Sequence, residues 1–194
     1  MQNLLRDLAS LCQFVKSPTE AKDFESKDGL EFEHGFYDGL TIKKLVIFPQ
    51  IIYADTLSST DDSQRIIGSL LEWAKENHGI VFEASMIKRW AYVSDIVFST
   101  DFPLLDKVNP VLRKAGKIIG DAVHKNLKED LEFSTAEIKI SHDPQRRSAL
   151  LAPFSITHRL GSPYEENMFF SEAPVSTPTH IELLSTIERE FKHK

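Results

Sequence analysis

The chain has 194 residues, 41% of them hydrophobic and 27% charged, with a formal net charge of -6. A chain this long can bury roughly 70% of its unfolded surface and so hold its own core, and apolar residues spread along its whole length place it with ordinary globular proteins rather than disordered ones. The acidic balance argues against nucleic acid as a partner, because neutralising phosphates needs a clustered excess of Lys and Arg.

Cys12 is the single cysteine, so no internal disulfide can form, and a reducing compartment, the cytoplasm, is the expected setting. Arg6 and Asp7 interrupt the N-terminal apolar residues, which speaks against a secretory leader. No run approaches the roughly 20 apolar residues that span a bilayer, so no membrane partner is expected.

In chain order, Leu4, Leu5, Leu8, Leu11, Cys12 and Val15 recur at helical spacing and predict an amphipathic helix over 1–16. Residues 17–29 are polar, with Phe24 the one large apolar group, and read as a linker. A single α+β domain is expected over 30–194. It opens with a β-meander of Leu30–Glu33, Leu40–Phe48 and Ile51–Ala54, punctuated by Gly35, Gly39 and Pro49.

Ser58, Ser59 or Thr60 then caps a helix with Asp61 and Asp62 in its first turn, Ile66, Ile67, Leu70, Leu71 and Ala74 on one face, and Gly79 at its end. Capping explains this hydroxyl and acid cluster better than a metal loop does. A short strand near Ile80–Glu83 leads to a longer one, Met86–Ser99, whose centre Trp90-Ala91-Tyr92-Val93 is apolar on both faces and predicts a covered, central position.

Asn109 and Pro110 begin the next helix, with Leu112, Ala115, Ile118, Ile119, Ala122 and Val123 as its apolar side. Gly116 and Gly120 on that helix predict close packing on a sheet. Strands Leu131–Ser141 and Pro153–Leu160 follow as a hairpin, the second with Phe154, Ile156, His158 and Leu160 on its apolar face. Gly161 to Thr177 reads as a long irregular segment, and a helix entered at Pro178 or Thr179, with Glu182 completing a capping box, turns Ile181, Leu184, Ile187 and Phe191 inward. The expected fold is α+β: a mainly antiparallel twisted sheet of about six or seven strands packed by three or four helices.

Signatures of chemistry are scarce. The 8 glycines form neither phosphate-binding loop, and G-x-S-x-G and H-E-x-x-H are absent. Glu33-His34 and His142-Asp143 are isolated pairs rather than ligand sets, so no metal and no cofactor is expected. Glu137-Ile138-Lys139 has a spacing used by metal-dependent nucleases, but it also describes the solvated side of a strand. His158 is the candidate general base, and Arg159 and Asp95 complete the candidate catalytic set, with Arg159 a candidate partner for Asp95. Arg89 shares the parity of Asp95 on the long strand.

Two binding surfaces compete with this. Irregular segments longer than about 12 to 15 residues are often binding loops, which singles out Tyr164, Glu165, Glu166, Phe169 and Phe170. The first helix offers Leu4, Leu8 and Leu11. The leading reading is therefore a protein-interaction or assembly module that associates with itself or with another protein. The alternative is an enzyme, of hydrolase type, built from His158, Arg159, Asp95 and the 161–177 loop. A third reading, nucleic-acid binding through Arg146, Arg147 and Arg159, runs against the net charge.

Overall fold

The computed structural model describes residues 2–18, 29–108, 110–143, 145 and 151–192. Residues 19–28 of the expected linker, and Asn109, Arg146 and Arg147, lie outside the described residues. The chain is α+β, but its strands form two antiparallel sheets, of three and four strands, rather than the single sheet of six or seven expected. Five helices accompany them among the described residues. The sheets fall in two compact units, Met1–Trp90 and Ala91–Lys194.

In the first unit α1 (Gln2–Leu11) buries Leu5, Leu8 and the following Cys12 in one cluster with Phe32, Ile42, Leu45, Ile66 and Leu70. Fully burying a Leu or Ile contributes about 1.5–3 kcal/mol, so this contact fixes the helix on the core of its own unit. The helix ends before Val15, which is exposed, because residues 12–16 leave it to bond alongside the first strand: Phe36 N–H donates to Cys12 O (2.6 Å) and Glu33 N–H to Lys16 O (2.9 Å).

The sheet order is β1 (Leu30–Tyr37), β2 (Leu40–Ile47), β3 (Ile52–Thr56). Asp38 and Gly39 close the first hairpin, both at positive φ (49° and 78°), the pairing a two-residue turn requires. Next, α2 (Thr60–His78) is capped by Ser59, whose Oγ accepts from Asp62 N–H at 3.2 Å, and it ends at Gly79 in the left-handed region. Ile80–Glu83 is not a strand.

The second unit holds β4 (Ser94–Ser99), α3 (Leu104–Val108), α4 (Pro110–Leu127), β5 (Glu137–Ile140), β6 (Phe154–His158), β7 (Met168–Ala173) and α5 (Thr177–Lys192). Its strand order is β4-β7-β6-β5. Several expectations fail here. The long central strand over 86–99 shrinks to β4, an edge strand, and Trp90 and Val93 precede it with partly exposed side chains. Its two-faced apolar run marks the boundary between units, not a covered strand.

The irregular segment 161–177 instead contains β7, an inner strand of the sheet, with Phe169, Ser171 and Ala173 buried on one face. Leu160, expected on the apolar face of its strand, lies past β6 in a turn and is 99% exposed. Phe102, Leu104, Leu105, Ile156, Phe169 and Leu184 form the core of this unit. On α5 the inward stripe is His180, Leu184, Ile187 and Phe191, while Ile181 is exposed.

Candidate functional site

Three places in the second unit bear on function. The first is a cleft of about 430 Å³ where β6 runs out, lined by Ala136, Glu137, Thr157, His158, Arg159, Leu160, Gly161, Ser162 and Tyr164. The turn Gly161–Ser162 and a 3-10 turn over Tyr164–Glu166 fold back so that the Tyr164 ring stacks on His158, 3.8 Å between centroids and 8° from parallel. Phe169 closes the other side of the imidazole at 4.9 Å. Burial among these rings lowers the His158 pKa, the Asp106 carboxylate raising it in opposition, so the ring is neutral at neutral pH. Its Nδ1 is occluded and has no hydrogen-bond partner.

A general base needs an orienting partner and a proton to take. His158 has neither among the described residues: its ring is held by stacking alone. Arg159, the residue after β6, also lines the cleft, and its main-chain N–H donates to Met168 O at 2.9 Å.

Asp95 is not part of this cleft. It pairs across the sheet with Glu172, which pairs with Ser155, so His158 lies three residues further along and two strands away. With about 3.3 Å per residue and 4.8 Å between strands, the separation is about 14 Å. Arg159, a further residue along, is equally out of reach. Glu165 and Glu166 stand exposed on the 3-10 turn, and Phe170 lies on the face of β7 opposite Phe169, which is core. Leu8 is core in the first unit, with Leu11 packed against it and Leu4 half-buried.

The second place is a pair that no sequence motif announces. Ser171 Oγ donates to Ser155 O at 2.8 Å and lies 2.8 Å from His180 Nε2, with both side chains fully buried. A hydroxyl has one proton, and a carbonyl can only accept it, so Nε2 carries the hydrogen that joins it to Ser171. Burial lowers the His180 pKa, with the Ser94 main chain and the Asp95 charge pushing the other way. A ring N–H that donates to Oγ cannot also take its proton, and both side chains are fully buried, so the pair ties α5 to β6 and β7. The spacing His180, Leu184, Ile187, Phe191 is the signal in the sequence that could have found it.

The third place is α4. Over 18 residues only Gly116 is buried. Val111 and Ile118 are each 70% exposed, Leu127 is 62% exposed, and Leu112 and Ile119 are close to half exposed. Gly116 and Gly120 face a returning extended segment rather than a sheet: a Cβ on Gly120 would come to 2.9 Å from Leu131 O, and one on Gly116 would overlap the Phe133 carbonyl oxygen. Four helical residues rise about 6 Å and two extended ones about 6.6 Å, so the two backbones run side by side in register. Leu131 and Phe133 extend the exposed apolar surface of the helix. The result is a run of exposed apolar side chains along α4 and the returning segment.

Among the described residues no group of three His, Cys, Asp or Glu side chains could hold a metal ion, and no helix is long and apolar enough to cross a membrane. No family model matches the chain, and neither the curated proteins nor the solved structures give a match.

Proposed function

We propose that the chain is a protein-interaction module whose contact surface is the apolar face of α4 together with Leu131 and Phe133. One observation carries the reading: an 18-residue amphipathic helix, closely approached at Gly116 and Gly120 by the returning segment, has only Gly116 buried and leaves Val111, Leu112, Ile118, Ile119 and Leu127 about half exposed or more. Leaving such a stripe exposed forgoes about 25 cal/mol per Å² of apolar area, which a partner recovers on binding. Of the contact residues expected elsewhere, Leu8 and Phe169 are buried in the cores of their units, with Leu11 packed against the first, whereas Tyr164, Glu165 and Glu166 are exposed.

The test is site-specific photo-cross-linking in cells making the full chain. A photoreactive residue at Ile118 is expected to give protein adducts, whereas one at Val81, which is 85% exposed in the first unit, is not. Equal adduct yields at both positions, or none at Ile118, would overturn the reading.

The alternative, a hydrolase, has the His158 cleft in its favour, although among the described residues no nucleophile is bonded to the histidine. It requires that a panel of ester and phosphoester substrates be turned over by the full chain and that His158→Gln abolish that turnover with the fold intact.

A further inference from the structure

Resting on the reading of α4 as a contact surface, we infer that its occupant is a second copy of this chain, laid parallel to the first about a two-fold axis running along the helix. Charge along the two edges of the patch selects this occupant. At about 100° per residue, the apolar side of α4 is bordered on one long edge by Lys114 and Lys125, with Lys117 and Asp121 set further back. Its other long edge is the glycine edge, where the returning segment brings Glu129, Asp130 and Glu132. Asp130 is 95% exposed even while its carboxylate meets His124 Nδ1 at 2.8 Å. The first edge keeps an excess of positive charge with Asp121 counted, and the second keeps an excess of negative charge with Arg113 and Lys128 counted.

An isologous contact places the same patch against itself. With the two-fold axis along α4, the helices lie parallel and the basic edge of each copy meets the acidic edge of the other, twice. With the axis across α4, the helices lie antiparallel and like edges meet, which is repulsive. Parallel helix dipoles oppose the favoured arrangement only weakly, because both helix ends are solvated. A partner with a uniformly acidic surface, such as an anionic bilayer, would satisfy one edge and be repelled by the other.

The experiment introduces cysteine at Leu112 in one full-length variant and at Asn126 in another, both near the centre line of the apolar side and about 21 Å apart along the helix. Cys12 does not compete, since it is buried and its thiol pKa is raised to about 12. Under mild oxidation the parallel pair is expected to give disulfide-linked dimers from both variants, with yields that fall as salt rises. Dimers from only one variant, or from neither, would overturn the inference, because an antiparallel pair can close at most one of two positions so far apart. A monomeric mass for the full chain would also overturn it, as would sedimentation of that monomer with phosphatidylserine vesicles. Adducts from Ile118 to other proteins would in that case leave the contact surface standing and remove only the second copy.

Discussion

Ser171 and His180 meet through Oγ and Nε2 at 2.8 Å with neither side chain exposed, and Ser171 gives its own proton to the Ser155 carbonyl. Three elements are thereby joined by two hydrogen bonds inside the core of the second unit. Ser171→Ala leaves a buried carbonyl and a buried ring N–H without partners, and the cost of such orphaned groups is about 1–3 kcal/mol. Urea unfolding should show that loss while disulfide capture through α4 is unchanged. A variant as stable as the parent would mean that the bonds contribute nothing net.

Both lowered histidines make stability depend on pH. Unfolded, His158 and His180 bind a proton near the ordinary value of about 6.5; folded, burial delays protonation to lower pH. Their contribution is therefore complete above about pH 6.5 and lost as pH falls below it toward the folded values, with a slope of at most about 1.4 kcal/mol per pH unit per histidine. Glu33 lies outside this window, since its side-chain hydrogen bonding with Glu31 and the Lys16 ammonium that donates to it hold its pKa at about 2. Urea midpoints between pH 7.5 and 5 should fall in the parent and fall less in His180→Gln. Equal slopes would contradict the assignment.

Glycines on two helices should respond in opposite directions. Gly68 on α2 has open space where a Cβ would sit, with nothing within 4 Å, so Gly68→Ala should stabilise by about 0.5–1 kcal/mol through helix propensity. Gly116→Ala meets the Phe133 carbonyl and should instead destabilise, releasing residues 131–133 from α4. Hydrogen exchange at Leu131 to Phe133 reads that release directly, and unchanged protection there would contradict the close approach.

Cys12 should be inert in the folded chain. With its pKa raised to about 12 by burial, almost none is thiolate at neutral pH. Ellman's reagent is expected to react at the rate of unfolding, and rapid stoichiometric labelling of the native chain would show that α1 does not stay on its core.

Local chemistry is legible in the sequence where one residue type answers one local demand. Ser59 and Gly79 bracket α2, and Leu5, Leu8 and Cys12 form the inner side of α1, as their spacing implies. Strand β7 is not legible, because Ser171 holds a core position that hydrogen bonding makes tolerable, and the adjacent Phe169 and Phe170 hide the alternation. His158, Arg159 and Tyr164 share a cleft, whereas Asp95 belongs to another row of the sheet, and strand order alone decides that. The amphipathicity of α4 is plain, but a stripe that faces a core and one that faces a partner are identical as sequence.

Assembly through α4 is tested most directly by the mass of the full chain in light scattering, measured beside that of Ile118→Asp. Ile118 is 70% exposed, so the substitution leaves the fold of the unit intact, which circular dichroism would verify. The expected result is a dimer for the parent and a monomer for the variant at the same concentration; the same mass for both would contradict α4 as the surface through which this chain assembles.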